Sequence, residues 1–313
     1  MRAREFKIFM EKAKHLSKNQ INQLISAVSS PAEDDTAIRK IEQEFALSPK
    51  CPLCSCSSAV KCGRYNGLQR YKCKECGRTF NALSGTSLSR LRRKDVWEKY
   101  CQALSDNLSL TKAAECCNVA RTTAFRWRHR FLQMSTEQKQ CTGITEIDET
   151  YFRESYKGKK VLHRSPRRRG RLHIRGLSKE QIPVVVARDR RGNTCDAVLK
   201  ARTARDVSIG LSGKIHENSL LCIDKSRSLI KFAKNSGLAY ELVNAKQRRG
   251  REKVFHLQTV TAYHSRLKSW IAQFRGVATD RLPNYLTWRR LHEEHLPKPA
   301  DWLLALANGH IHR

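Results

Sequence analysis

Acidic residues are scarce in this chain. Of its 313 residues, 29 are Asp or Glu and 61 are Lys or Arg, which gives a formal net charge of +32. Proline is scarce too, with 8 residues, and 40% of the chain is hydrophobic, so the composition excludes a disordered protein. The excess of positive charge predicts a polyanionic partner, and nucleic acid is the first candidate. A basic but otherwise ordinary enzyme is the alternative.

Long apolar runs are also absent. Runs such as 183–187 fall far short of the ~18 residues that cross a bilayer, which excludes a membrane protein. The N-terminal residues from Met1 to Phe6 lead into no long apolar stretch, which argues against a secretory signal and predicts a cytoplasmic location. At roughly 100–200 residues per domain, the length predicts two domains with small additions.

Cysteine, by contrast, is abundant, with 12 residues, and in the reducing cytosol this predicts metal binding or free thiols. Cys51-Pro-Leu-Cys54 and Cys73-Lys-Glu-Cys76 have the spacing of a structural zinc site, because each pair presents two thiolates from one tight knuckle. We predict a zinc ribbon over 49–82, in which Zn²⁺ has four thiolate ligands and no open position for catalysis. Chance clustering in a cysteine-rich chain is the alternative.

Two further segments are predicted to be helical. Residues 1–48 form an N-terminal helical segment, and Gly85–Ser89 reads as a linker to a helix-turn-helix region over 90–136. In that region the second helix, 121–131, is strongly basic. Its inward residues are predicted to be Ala124, Trp127 and Phe131. Its outward residues are predicted to be Thr122, Thr123, Arg126, His129 and Arg130, and the DNA contacts to be Arg121, Thr122, Arg126 and Arg130. A solvated basic helix packed on a core is the alternative.

Strands alternate with helices over 140–295, followed by a tail, 296–313. The predicted strands are 144–152, a hairpin over 182–199, 219–223 and 239–243, and the predicted helices lie near 203–212, 226–236 and 254–275. Between the first strand and the hairpin, 157–175 holds basic residues and no acid. We expect this stretch to contact phosphates through Arg167, Arg168 and Arg169.

Against the scarcity of acids, two aspartates at strand positions are conspicuous. Asp148 lies inside the first strand and Asp224 directly follows the strand 219–223. A sheet that pairs these strands brings both carboxylates to one edge, where they can share two Mg²⁺ ions for phosphodiester chemistry. Two unrelated acids at strand ends are the alternative.

From about residue 49 to 291 the chain resembles bacterial insertion-sequence transposases of the DDE superfamily, in the group with a zinc ribbon ahead of an RNase H-like core. The motifs that carry the resemblance are Cys51-Pro-Leu-Cys54, 71–80, Glu146-Ile-Asp-Glu-Thr-Tyr-Phe152, Leu221-Cys-Ile-Asp224, 255–268 and 275–288. Each motif alone is weak evidence for the family, but the presence of all of them in this order along the chain is highly specific.

The resemblance implies an α/β fold in which a zinc ribbon and a helix-turn-helix precede an RNase H-like catalytic core. It implies a DNA transposase that binds the inverted-repeat ends of an insertion sequence and, with Mg²⁺ or Mn²⁺ on Asp148 and Asp224, catalyses DNA cleavage and strand transfer. The implied partners are double-stranded DNA, both ends and target, and a second copy on paired ends. The implied location is the bacterial cytoplasm, at the nucleoid.

The third active-site position departs from the family. Similar sequences have Glu or Asn there, four residues before the Ser of a Ser-x-x-Lys-like stretch, and this alignment places Thr261 at that position. Threonine is a weak ligand for a hard cation, so Gln258 or His264 on a neighbouring helix position is a possible substitute. Lys268 is expected to contact a DNA phosphate. The alternative function is a zinc-ribbon DNA-binding protein whose RNase H-like core is inactive.

Overall fold

The computed structural model describes residues 36–133, 138–162, 178, 180–243, 254–294 and 297–309, together with 11, 15–17, 20 and 21. The chain divides into two units, Met1–Met134 with Pro297–Arg313, and Ser135–Leu296. None of the helices within these described ranges is long and apolar enough to cross a membrane. Most of the predicted N-terminal helical segment, namely 1–10, 12–14, 18–19 and 22–35, lies outside the described residues, as do Arg167, Arg168 and Arg169.

The cysteine-rich part of the first unit is a small antiparallel sheet covered by a helix. Strand order is β1-β2-β3. The elements are α1 (Thr36–Leu47), β1 (Ala59–Tyr65), β2 (Leu68–Cys73) and β3 (Thr79–Phe80). Phe45 of α1 packs edge-on against Tyr71 and Phe80, whose rings stack on each other. These aromatic contacts join α1 to the sheet.

Three helices follow in the first unit. They are α2 (Trp97–Ser105), α3 (Leu110–Cys116) and α4 (Arg121–Phe131). Ser109 caps α3, since its side chain accepts the backbone N–H of Lys112 at 3.3 Å. The short connection to α4 turns at Asn118, whose φ of 49° is left-handed. Ala124, Trp127 and Phe131 are buried, as their helical spacing predicts.

Two segments of the first unit are more ordered than the sequence indicated. The predicted linker is packed into the unit, with Leu88 fully buried, and Arg130 donates hydrogen bonds to the carbonyl oxygens of Ser87 and Ser89. The predicted tail contains a helix, α9 (Pro299–Asn308). Trp302 of α9 is buried and its indole N–H donates to the carbonyl oxygen of Phe131.

The second unit is built on a five-stranded mixed sheet, with strand order β6-β5-β4-β7-β8. Its strands are β4 (Ile144–Arg153), β5 (Gln181–Asp189), β6 (Thr194–Val198), β7 (Leu220–Ile223) and β8 (Ala239–Leu242). The first three form an antiparallel meander, whereas β4, β7 and β8 are parallel. This arrangement is that of the RNase H-like fold. The strand predictions are therefore confirmed to within a residue or two.

Four helices complete the second unit: α5 (Ala204–Leu211), α6 (Arg227–Asn235), α7 (Gln258–Ala272) and α8 (Leu282–Glu294). The core under α5 and α6 is aliphatic, as expected where a sheet is covered by helices. Helix α7 was predicted from about Val254 but begins at Gln258. The preceding residues are irregular and bind Arg190 and Glu146 instead of continuing the helix.

Candidate functional site

Asp148 and Asp224 come together at one edge of the sheet, as the sequence predicted. Strands β4 and β7 run parallel, and Ile147 pairs with Ile223 at the end of their register. Asp148 is the next residue of β4 and Asp224 directly follows β7, and neighbouring strands lie only about 4.8 Å apart. Both side chains are half-buried. Two carboxylates therefore lie side by side where β7 ends next to the middle of β4, in a chain with few acids.

Backbone hydrogen bonds orient both carboxylates. Asp224 Oδ1 accepts the N–H of Ser226 at 2.8 Å, and Asp148 Oδ1 accepts the N–H of Glu149 at 2.8 Å. Such a pair of anchored carboxylates is the ligand type that Mg²⁺ and Mn²⁺ prefer. The donor set at this edge of the sheet therefore fits a divalent cation.

On α7 the residue that faces Asp148 is His264. Its Nδ1 lies 3.7 Å from Asp148 Oδ2, and only 9% of its side chain is exposed. Thr261, Gln258 and Lys268 are exposed on the same helix. The ligand atoms of Asp148, Asp224 and His264 do not all lie within 4.8 Å of one another, a limit that only the four zinc-ribbon cysteines meet among the described residues.

The imidazole of His264 is in its neutral form at physiological pH. Burial, helped by the positive charge of Lys268, lowers the pKa of His264 to about 4. Its Nε2 is buried without a hydrogen-bond partner. A neutral, buried imidazole beside a carboxylate has the protonation state that a metal ligand requires.

The sequence prediction did not assign a role to Glu146. This residue lies two positions before Asp148 on β4, so both side chains leave the strand on the same face. Glu146 is fully buried and its Oε2 accepts the N–H of Val260 at 2.9 Å. The available signal was a second acidic residue in the predicted strand 144–152 of a chain with few acids, and buried acids rarely occur without a dedicated partner.

The four predicted zinc ligands form one cluster. The sulfur atoms of Cys51, Cys54, Cys73 and Cys76 all lie within 4.8 Å of one another. Cys51 Sγ is 3.7 Å from Cys76 Sγ, and Cys54 Sγ is 3.5 Å from Cys73 Sγ. Sulfurs around a tetrahedral Zn²⁺ with bonds of about 2.3 Å are about 3.8 Å apart. The cluster therefore fits a structural zinc ion.

The two knuckles have equivalent backbones. The N–H of Ser55 donates to the carbonyl oxygen of Cys51, and the N–H of Gly77 donates to that of Cys73. Ser55 and Gly77, each directly after the second cysteine of its pair, have left-handed φ values of 60° and 67°. This shared turn directs both sulfurs of each pair to one side.

The thiols of the cluster differ in acidity. For Cys73, hydrogen bonding from the backbone N–H of Cys76 is the largest influence and the pKa is lowered to about 7. For Cys54, hydrogen bonding from Cys56 acts to lower the pKa, but bonds with the other thiols and burial raise it to about 12. Zinc requires thiolates, so its binding to this cluster is coupled to proton release.

Helix α4 has one exposed basic face. Arg121, Thr122 and Arg126 are exposed, as predicted for DNA contacts. His129, predicted to be outward, is buried, and Arg130 is half-buried because its guanidinium binds Ser87 and Ser89. The helix therefore turns further into the unit at its C-terminal end than the sequence pattern suggested.

A cavity of about 560 Å³ opens beside the N-terminal half of α4. Residues that line it include Arg90, Arg92, Arg93 and Arg126. Arg93 is paired with Asp95 at 2.9 Å, and Arg90 has a left-handed φ of 60°. This basic concavity next to the exposed face of α4 is suited to anionic groups.

Comparison with known proteins gives three findings. Residues 140–289 match the model of the ISXO2-like transposase domain. The chain is 28% identical over 257 residues to an "Uncharacterized protein in transposable element ISH50" of Halobacterium salinarum, covering 80% of this chain and 87% of that protein. The crystal structure of the Mos1 mariner paired end complex with Mn aligns at 13% identity with a TM-score of 0.23, over 96% of this chain and 94% of that one.

Proposed function

We propose that this chain, an insertion-sequence transposase by its ISXO2-like transposase domain over 140–289, cuts DNA at the inverted-repeat ends of its element and joins the freed strands to target DNA. The observation that carries the proposal is the pair Asp148, inside β4, and Asp224, directly after the adjacent parallel strand β7. The net charge of +32 supports a DNA substrate, since a basic surface binds the phosphate backbone.

Asp148 and Asp224 would hold Mg²⁺ or Mn²⁺. A divalent cation there supplies charge stabilisation to the attacking and leaving oxygens of a phosphodiester. The N–H groups of Ser226 and Glu149 fix the two carboxylates, so that little reorganisation is needed when DNA binds. We assign Arg167, Arg168, Arg169 and Lys268 to DNA phosphates, and a second copy of the chain to the paired ends.

The test is a cleavage assay with purified protein, Mg²⁺ or Mn²⁺ and a supercoiled donor plasmid that carries the element's inverted repeats. Nicks or double-strand breaks at the repeat ends, absent with EDTA and with a plasmid of scrambled ends, are the expected result. End binding without any cleavage under either metal would support the second candidate function, a zinc-ribbon DNA-binding protein with an inactive core. The exposed, neutral Thr261 is the observation that favours this candidate.

We propose His264 as the third ligand in place of Thr261, because its buried imidazole faces Asp148. Imidazole suits softer ions better than Mg²⁺, so cleavage should be faster with Mn²⁺ than with Mg²⁺. His264→Ala should weaken Mn²⁺ binding about 10-fold or more, as expected for a ligand or its immediate neighbour. Thr261→Asn should reduce the difference between the cleavage rates with Mn²⁺ and with Mg²⁺, because it adds an oxygen ligand.

Metal affinity measured by Mn²⁺ electron paramagnetic resonance, together with cleavage rates in both metals, checks this assignment. Gln258→Ala is the matched control on the same helix. If Gln258→Ala loses Mn²⁺ affinity while His264→Ala keeps it, the ligand is Gln258.

The exposed face of α4 predicts separate roles for two arginines. Arg126→Ala should weaken binding to all DNA sequences and lower the slope of log K against log salt by about 1, because one phosphate contact is lost. Arg130→Ala should instead lower the free energy of unfolding of the first unit by about 2 kcal/mol, since it removes charged hydrogen bonds to Ser87 and Ser89. Fluorescence anisotropy over a salt series and thermal melts measure the two effects. The reverse pattern would contradict the assignment.

A further inference from the structure

A buried carboxylate on β4 anchors the helix that faces the catalytic aspartates. Glu146 is 0% exposed, and burying a charge is costly unless it is paired. Its Oε1 forms an ion pair with Arg190 Nη1 at 2.6 Å and lies 3.1 Å from His256 Nδ1. Its Oε2 accepts the N–H of Val260 at 2.9 Å. Oε2 is therefore hydrogen-bonded, whereas Oε1 is neutralised by charge pairing without a hydrogen bond of good geometry.

The bond to Val260 replaces a cap that α7 lacks. The residue before the helix is Leu257, whose side chain has no polar atom to accept a hydrogen bond. Val260 is the third residue of the helix, and its N–H is one that an N-cap side chain normally satisfies. A carboxylate at a helix N-terminus is also favoured by the helix dipole. Glu146 therefore caps α7 from a neighbouring strand.

Arg190 ties the segment before α7 to the same carboxylate. Its Nη2 donates to the carbonyl oxygen of Val254 at 2.9 Å, and its Nη1 donates to Thr259 Oγ1 at 3.2 Å and lies 2.8 Å from His256 Nε2. The planar guanidinium reaches all of these groups at once, which a lysine cannot do. The irregular residues 254–257 are thereby fixed by a residue of the β5–β6 turn.

These contacts set the register of α7 against β4. Glu146 and Asp148 are two residues apart on one face of the strand, a separation of about 6.6 Å. Val260 and His264 are four residues apart on the helix, a rise of about 6 Å. Glu146 meets Val260 and Asp148 meets His264, so the two elements touch at two matched points. A shift of one residue at the first point would turn His264 away from Asp148.

We infer that Glu146 and Arg190 are positioning residues that hold α7 in the register that places His264 against Asp148. This inference rests on the proposed function of Asp148 and His264. It assigns Glu146 and Arg190 no contact with DNA or metal. Their effect on cleavage passes through the placement of α7.

The test compares Glu146→Gln and Arg190→Lys with a matched control, Asp189→Asn. Asp189 is also fully buried and lies next to Arg190, but its carboxylate binds the backbone N–H groups of Thr142, Arg191 and Asn193 and the Asn193 side chain. Asp189→Asn therefore disturbs a buried carboxylate of the same hairpin that forms no hydrogen bond with α7 within the described residues. The amide oxygen can still accept the N–H groups of Arg191 and Asn193, so the turn that carries Arg190 should keep its conformation. Arg190→Lys keeps a cation beside Glu146. It provides the test of the inference if Glu146→Gln does not fold.

Four quantities are measured on full-length protein below its melting temperature: kcat and KM for end cleavage, Mn²⁺ affinity, and amide hydrogen exchange over 258–262. Glu146→Gln and Arg190→Lys should lower kcat by roughly 100-fold, as for a misplacement of about 1 Å, with KM for DNA nearly unchanged. They should also weaken Mn²⁺ binding and speed exchange in the first turn of α7. Asp189→Asn should change only the melting temperature.

Wild-type kcat and Mn²⁺ affinity in folded Glu146→Gln or Arg190→Lys would overturn the inference. Equal losses in Asp189→Asn would do so too, because they would indicate a general effect of destabilisation. If the wild-type protein does not cleave DNA, the proposed function fails by itself. In that case unchanged exchange over 258–262 in both variants would still refute the anchoring of α7, and accelerated exchange would support it.

Discussion

Replacing Asp148 or Asp224 with Asn is expected to reduce cleavage at the inverted-repeat ends by at least roughly 1,000-fold, which corresponds to about 4 kcal/mol of transition-state stabilisation. The substitution keeps the size and hydrogen-bonding shape of each side chain and removes one negative charge. Ser226 can still donate to an amide oxygen at position 224, so the strand end should keep its conformation. The loss should therefore appear in the chemical step.

DNA binding should be unchanged in both variants or slightly tighter, since a negative charge is removed beside a polyanion. The assay pairs cleavage of the donor plasmid with anisotropy on a labelled end. Asp189→Asn is again the control. It is the same substitution in the same sheet, but the Asp189 carboxylate accepts hydrogen bonds from the β5–β6 turn. If either active-site variant cut DNA as fast as the parent, the assignment of a divalent cation to this pair would be wrong.

The edge that carries this pair was predictable because strand signals are local. The apolar run before Asp224 indicates β7, and among the described residues α5 lies between the β5–β6 hairpin and β7, as expected where a crossover helix joins parallel strands. The zinc ligands were predictable for a similar reason. Two short knuckles fix most of the geometry, and their spacing is read directly from the sequence.

The residue facing Asp148 on α7 was less accessible to sequence reasoning. Helical periodicity does not decide which residue faces Asp148, because Thr261, Gln258 and His264 lie close together on a helical wheel. What selects His264 is the start of the helix at Gln258 and the contact of Glu146 with Val260, which lies 114 residues away in the chain. Such a long-range contact leaves no local pattern.

The ordered structure of the predicted linker and tail was missed, because it depends on contacts between residues that are far apart in the sequence. Arg130 reads as a surface residue by its basic neighbours, but it holds the segment from Ser87 to Ser89. Trp302 reads as part of an isolated apolar stretch, and its burial depends on Phe131 and the rest of the first unit. In both cases tertiary contacts determine the burial of the segment, which the local sequence pattern does not show.

Removal of zinc is expected to unfold the ribbon and loosen the C-terminal part of α1 while leaving the sheet of the second unit intact. Structural zinc contributes about 10–16 kcal/mol to folding, as much as the whole stability of a typical domain. The apolar cluster of the ribbon is small, consisting of Cys51, Tyr71, Cys73 and Phe80 with three partly buried neighbours. Phe45 of α1 packs on this cluster, so the C-terminal part of the helix should loosen when the cysteines are released, whereas its N-terminal part keeps the bond from the Ala37 N–H to Glu98.

Hydrogen exchange measured by mass spectrometry before and after chelation checks this result. Protection should be lost over 59–80, reduced over 42–47 and retained over 144–153. Cys51→Ser should reproduce the effect of the chelator, whereas Cys62→Ser, on β1 but outside the cluster, should keep full zinc content. The affinity for the inverted-repeat ends should decrease when the ribbon unfolds, because the basic residues near the cysteine pairs are then no longer held in fixed relative positions. A Cys51→Ser protein with full zinc content and native exchange over 59–80 would refute the four-cysteine site.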